Sequence, residues 1–155
     1  MAGSLSRRQF LGTSAAVLAA PSLSLAQGAG VLKFVPQTDV AVLDPVWTTT
    51  YPTRDHGYLV FDTLFGMDGQ YRMQPQMLAG AVTESDGKVW NLTLRDGLKF
   101  HDGSAVLARD CVASIKRWGA RDPFGQVLMA ATDELSAPDD KTIRFRLKHA
   151  FPLLP

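Results

Sequence analysis

The stretch LRDGLKFHDGSAVLARDCVASIKRW, Leu94 to Trp118, packs a strand end, two turn signals and an amphipathic helix into one segment. Asp96-Gly97 and Asp102-Gly103 flank the short apolar run around Leu98 and Phe100. Asp-Gly is a turn dipeptide because glycine tolerates positive φ and aspartate can bond its own backbone. Beyond the second turn, Cys111, Val112, Ile115 and Trp118 recur at helical spacing, which predicts a helix from about Ala108 to Trp118 with Gly119 as its stop. His101 and Asp102 sit side by side in the second turn, but adjacent extended residues point to opposite faces and make a poor catalytic pair. The reading is a scaffold turn, with His101 satisfied by local backbone.

Outward from this segment the signals stay mixed. Upstream, Asp86-Gly87 precedes Lys88 to Arg95, where Trp90, Leu92 and Leu94 alternate with Val89, Asn91 and Thr93, a hairpin pattern. Downstream, DPFGQVLMAA reads as a shorter helix and TDELSAPDDKTIRFRL as strand, turn and strand. Further upstream, a helix is expected to be capped by Thr53, to carry Tyr58, Phe61 and Phe65 on one face, and to end at Gly66. A turn at Asp68-Gly69 and a loop to Gly80 follow, and VLKFVP, Val31 to Pro36, reads as a strand. Strands and helices alternate without a strict βαβ rhythm, which predicts an α/β, mixed α+β lobe.

The N-terminus reads as an export signal. Ser6-Arg7-Arg8-Gln9-Phe10-Leu11 precedes the apolar run Phe10 to Ala20, and Ser24-Leu25-Ala26 offers small residues to a signal peptidase. Paired arginines before a mildly apolar run are the grammar of twin-arginine export. Residues 1–26 are therefore expected to be a signal peptide, cleaved near Ala26, leaving 27–155 free in the periplasm. Losing Arg7 and Arg8 from the 16 basic and 15 acidic residues leaves 14 against 15, which excludes the basic footprint of a nucleic-acid binder. One cysteine, Cys111, allows no internal disulfide and no cysteine metal cluster, and its place on an apolar helix face predicts a buried, inert thiol. His56 and His149 have no second metal ligand at helical or hairpin spacing, and Asp139-Asp140 reads as a solvated turn. No catalytic residue, metal ligand or cofactor site is assigned. The chain ends on the apolar Phe151 to Leu154 and Pro155, a run expected to lie exposed, as in a chain that continues beyond it.

Three blocks carry a family resemblance. LDPVWTTTYPTRDHGYLVFDTLFGMDG with QPQMLAG, then VWNLTLRDGLKFHDGSAVLARDCVASIKRW, then TIRFRLKHAFPLL, in that order, resemble the extracytoplasmic solute-binding proteins of family 5, the dipeptide, oligopeptide and nickel receptors of ABC importers. Asp110 stands at the family's helix-start aspartate. Leu107, where the family usually has Ser or Thr, cannot accept the capping hydrogen bond, and Arg109 replaces a residue that is usually acidic.

The resemblance implies a periplasmic-binding-protein-like type II fold, with this chain supplying part of the first of two lobes. It implies a peptide or similar small solute held between the lobes, and ABC permease subunits as membrane partners. By position, Thr48, Thr49, Thr50 and Tyr51, after the LDP motif, would run along the cleft and contact the solute; an ordinary β-rich connector is the other reading of this segment. The export machinery would read Arg7 and Arg8. Two alternatives remain open, a non-functional truncated remnant of such a receptor and an exported cofactor enzyme.

Overall fold

The computed structural model describes residues 33–154. The export signal, the cleavage site and Pro155 lie outside the described residues. Residues 1–35 and 36–155 form separate units, and of the first only Lys33 to Val35 are described; they are in no strand, so the described part of the expected Val31–Pro36 strand forms no ladder.

The second unit is organised around a four-stranded antiparallel sheet in the order β3-β4-β6-β5: β3 Leu78–Glu84, β4 Val89–Leu94, β5 Thr132–Ser136 and β6 Thr142–Leu147. The hairpin at Asp86-Gly87 forms as the alternation predicts, pairing Glu84 with Val89 and Ala81 with Leu92. Ser85, Asp86 and Gly87 all take positive φ in that turn, which suits the short polar side chains and the glycine. Trp90 seals it by donating its indole N–H to the Gly87 carbonyl at 3.1 Å. β6 lies antiparallel between β4 and β5, setting Leu92 against Ile143 and Leu135 against Phe145.

Period-two patterning decides the faces. Leu92, Leu94, Leu135, Ile143, Phe145 and Leu147 are buried together, while Arg144 and Arg146 stay exposed on the opposite face. Two helices cover the buried face: α2, Ala108–Arg121, and α3, Pro123–Ala131. On α2 the predicted stripe is found, with Cys111 and Val112 buried and Ile115 and Trp118 packed against the core. Burial, with the neighbouring Asp110 charge adding to it, raises the Cys111 pKa. Leu107 caps α2 with no side-chain hydrogen bond, but the Asp110 carboxylate accepts the Leu107 N–H at 2.9 Å. That is the reciprocal half of a capping box, and it partly compensates for the missing Ser or Thr.

Gly119 does not end α2; the helix continues to Arg121. The glycine is needed for packing instead. α2 and α3 cross so closely that a Cβ on Gly125 would sit 2.8 Å from the Gly119 Cα and 3.0 Å from the Trp118 ring. Asp122 sits between the helices, accepting the N–H groups of Phe124 at 2.8 Å and Gly125 at 3.1 Å. It caps α3, whose first helical residue, Pro123, needs no acceptor.

The first helix departs most from expectation. α1 spans Tyr51–Val60 and starts at Thr50, not Thr53. Pro52 suits the first turn, where its absent N–H costs nothing. Thr53 is 1% exposed inside the helix, its hydroxyl donating to the Val42 carbonyl at 2.6 Å. The helix stops before Phe61, because Phe65 is recruited as a strand: β1, Phe65–Met67, pairs with β2, Met73–Pro75. Tyr58 and Phe61 consequently lie exposed rather than sharing a buried face with Phe65. The expected loop over 67–80 thus holds β2 and the start of β3 as well as its turn, where Asp68 accepts the Gln70 and Arg72 N–H groups at 2.9 and 3.0 Å. At the other end, Phe151 and Leu154 pack against the core and Leu153 is exposed, so the terminal apolar run is only partly uncovered.

Candidate functional site

The segment from Asp44 to Tyr51 leads into α1 and is anchored at both ends. At its start the Asp44 carboxylate accepts the Val46 N–H at 3.0 Å and pairs with the Arg117 guanidinium of α2, one contact being 3.2 Å. The hydrogen bond from Arg117 holds the Asp44 carboxyl below the usual carboxylate range. One helical turn further along α2, the Arg121 guanidinium lies 3.7 Å over the Trp47 ring, a stacking distance for a planar cation on an aromatic face. Residues four apart share a helix face, so Arg117 and Arg121 together tie the turn at Asp44–Trp47 to α2.

At the other end the hydroxyls connect the segment to α1. Thr50 bonds Thr53 oxygen to oxygen at 3.1 Å, Thr53 reaches the Val42 carbonyl, and the Thr50 carbonyl accepts the Arg54 N–H at 3.0 Å. Pro45 lies against Gly57, where an added Cβ would be 3.4 Å from the proline Cβ. Between the anchors, Thr48 is half-buried, with its hydroxyl oxygen accepting the Thr50 N–H at 3.4 Å. Thr49, Thr50 and Tyr51 are exposed. The Tyr51 ring carries the Arg54 guanidinium at 4.5 Å. The four residues singled out in the sequence therefore form one accessible strip of hydroxyl and phenol groups between two arginine-capped rings. Threonine hydroxyls and a tyrosine can hydrogen-bond a peptide main chain or stack on a solute. Sequence reasoning missed Arg54 and Arg121, and nothing local marks Arg121, which lies 74 positions beyond Trp47.

The other singled-out side chains are placed elsewhere. In the turn 101–104, Asp102 accepts the Ser104 N–H at 2.9 Å and its hydroxyl at 2.6 Å, which lowers the Asp102 pKa, the hydroxyl bond contributing most. His101 is exposed, and its side chain makes no hydrogen bond among the described residues. The turn is thus held by Asp102 and Gly103, not by a backbone-satisfied histidine. His101 instead lines a shallow open cleft of about 240 Å³ with Lys99, Phe100, the end of α1 from Tyr58 to Val60, and Phe61 and Asp62 just beyond it. His56 is half-buried in α1 with an unpartnered Nδ1, and His149 is exposed. Asp139 accepts the N–H groups of Lys141 and Thr142, both at 2.8 Å, so Asp139-Asp140 is the solvated turn expected.

Comparison with known proteins gives this geometry a context. Residues 72–155 match the family model of bacterial extracellular solute-binding proteins, family 5 Middle. The chain is 41% identical over 143 residues to the probable peptide ABC transporter periplasmic-binding protein y4tO of Sinorhizobium fredii, covering 90% of this chain and 27% of that protein. It is 30% identical over 125 residues to the probable D,D-dipeptide-binding periplasmic protein DdpA of Escherichia coli, covering 73% and 23%. Among solved structures, the binding protein MoaA of A. tumefaciens R10, in complex with mannopinic acid, superposes with a TM-score of 0.65 at 26% identity, covering 74% of this chain and 24% of that one. The murein tripeptide-binding protein MppA of E. coli superposes with a TM-score of 0.62 at 23% identity, covering 72% and 26%, a likeness of fold. These neighbours are type II periplasmic binding proteins, and the mixed helix-and-sheet lobe corresponds to part of their fold. The chain spans about a quarter of the length of these relatives.

Proposed function

Because the chain belongs to the bacterial extracellular solute-binding proteins of family 5, we propose that it serves solute capture for an ABC importer, holding a peptide or similar small solute for a membrane permease. The observation that carries this reading is the accessible strip Thr48, Thr49, Thr50 and Tyr51, fixed at one end by Arg117 on Asp44 and at the other by Thr53 on Val42. A strip whose ends are fixed loses little freedom when it orders a ligand, which favours binding. Its hydroxyls suit an extended main chain, whose amides need donors and acceptors at short intervals. The relatives' names, a probable peptide-binding and a probable D,D-dipeptide-binding protein, support a small peptide as the solute class.

In this reading the protein is a receptor and not an enzyme. Residues 1–26 form a twin-arginine signal read through Arg7 and Arg8, cleavage falls near Ala26, and residues 27–155 act in the periplasm. Capture is completed by closure of two lobes, of which this chain supplies part of one. The test is a titration of the isotopically labelled chain with acetyl-dialanine, followed by backbone amide resonances. Shifts confined to Thr48–Tyr51 and its anchors are expected, at millimolar concentrations for one face of a cleft. Saturable shifts elsewhere with none at Thr48–Tyr51 would overturn the assignment of the strip.

A further inference from the structure

The strip is flanked by two guanidinium groups that are each stacked on an aromatic ring. Five ion pairs are formed among the described residues, and they involve Arg72, Arg117, Lys141 and Arg146. Arg54 and Arg121 are in none of them. Each is held instead by an aromatic ring of the strip's own segment, Arg54 by Tyr51 at 4.5 Å and Arg121 by Trp47 at 3.7 Å. Both rings remain more than half exposed, Trp47 at 57% and Tyr51 at 59%. A guanidinium stacked on a ring engages one face of its plane. Its N–H donors lie in that plane and stay open to an acceptor. Trp47 and Tyr51 are four residues apart, about 14 Å of chain at most, so an arginine-stacked ring stands at each end of Thr48–Thr50. Of the nearby carboxylates, Asp44 is engaged with Arg117 and Asp122 with the start of α3, and Asp55, next to Arg54 in α1, is in none of the five ion pairs.

We infer that Arg54 and Arg121 are positioned to take a carboxylate of the solute, so that this strip selects anionic solutes over their neutral counterparts. This rests on the strip being the solute-binding segment. Pre-stacking limits the rotamer freedom lost on binding, and planar bidentate recognition is what the guanidinium does best. Charge-assisted hydrogen bonds to the solute's carboxylate would then add to the main-chain bonds of the threonines.

The test compares acetyl-dialanine with its C-terminal amide, which differ only in the carboxylate, on the full 155-residue chain. Backbone amides of Thr48–Tyr51 and the side-chain Nε–H resonances of Arg54 and Arg121 are followed by NMR. The acid should bind about threefold to fivefold more tightly than the amide, the size of an exposed ionic contact, and should shift the Nε–H signal of Arg54 or of Arg121. In the double variant R54Q/R121Q, checked for an unchanged circular dichroism spectrum, acid and amide should bind equally well, the preference having vanished. Equal binding of acid and amide to the unsubstituted chain would overturn this inference and leave the strip intact. Absence of shifts at Thr48–Tyr51 with either compound would overturn the strip, and this inference with it.

Discussion

Replacing Gly125 by alanine tests the helix crossing that supports the whole face behind the candidate site. The new Cβ would lie 2.8 Å from the Gly119 Cα and 3.0 Å from the Trp118 ring. Neither neighbour is the free end of a flexible chain, so α2 and α3 must move apart. Overpacking of a tight interior costs about 1–3 kcal/mol. Alanine recovers at most about 1 kcal/mol in helix propensity, and less in the first turn of α3, where Gly125 lies. The net expectation is a loss of about 1–2 kcal/mol, which at about 4 °C per kcal/mol for a domain of this size lowers Tm by about 4–8 °C. Gly119→Ala should also destabilise, because its new Cβ would overlap the Met129 Cγ and lie 3.2 Å from its Sδ, a clash that the propensity gained in the helix interior offsets only in part. Gly80→Ala, with nothing within 4 Å of the new atom, should stay within about 0.5 kcal/mol of the parent. Thermal and urea unfolding of the three variants, read by far-UV circular dichroism, gives the order. If Gly125→Ala proved as stable as Gly80→Ala, the close crossing of α2 and α3 would be wrong.

Asp110→Ala removes the acceptor of the Leu107 N–H and a favourable charge in the first turn of α2, and should cost about 1 kcal/mol in a denaturant titration. Asp44, Asp68, Asp96, Asp102 and Asp139 all have lowered pKa values in the folded chain. Their contribution to stability is therefore full above the ordinary aspartate range and is lost as pH falls through the folded values, so Tm should drop on acidification below about pH 4. Cys111 should resist a thiol reagent at mildly alkaline pH in the folded chain and react promptly in denaturant, since burial disfavours its thiolate. His101→Ala should leave Tm within about 1 °C of the parent, as expected of an exposed side chain without a hydrogen bond. Lysines at Arg7 and Arg8 should stop export, and processed protein in the periplasm of that variant would refute twin-arginine targeting.

How far the sequence could be read depended on the length of each signal. The β3–β4 hairpin, the β5–β6 pair and the buried face of α2 were legible because each repeats its period several times around a core. β1 and β2, at three residues each, are too short to show a period, and the apolar Phe61 and Phe65 mimicked a continued helix. Thr53 resembles a cap by type, but the earlier Pro52 and the Val42 carbonyl decide its place inside α1. Gly119 has the composition of a stop, and only the approach of Gly125 shows why it is small. At the candidate site, Thr48–Tyr51 came from position relative to the LDP motif. The arginines beside it depend on the fold, since α2 must turn back along the segment before Arg121 can reach Trp47.

The hydroxyl relay at the start of α1 sets what one hydroxyl of the strip can offer. A threonine has a single hydroxyl hydrogen. Thr53 commits its own to the Val42 carbonyl, so the hydrogen shared between Thr53 and Thr50 must come from Thr50. Thr50 then has only lone pairs left to offer a visitor, whereas Thr49, with no bond to its hydroxyl among the described residues, can still give a hydrogen. Two neighbouring residues of the same type therefore differ, since Thr50 can only accept while Thr49 can give or accept. The buried Thr53 thus sets the hydrogen-bonding role of an exposed hydroxyl that it does not itself present.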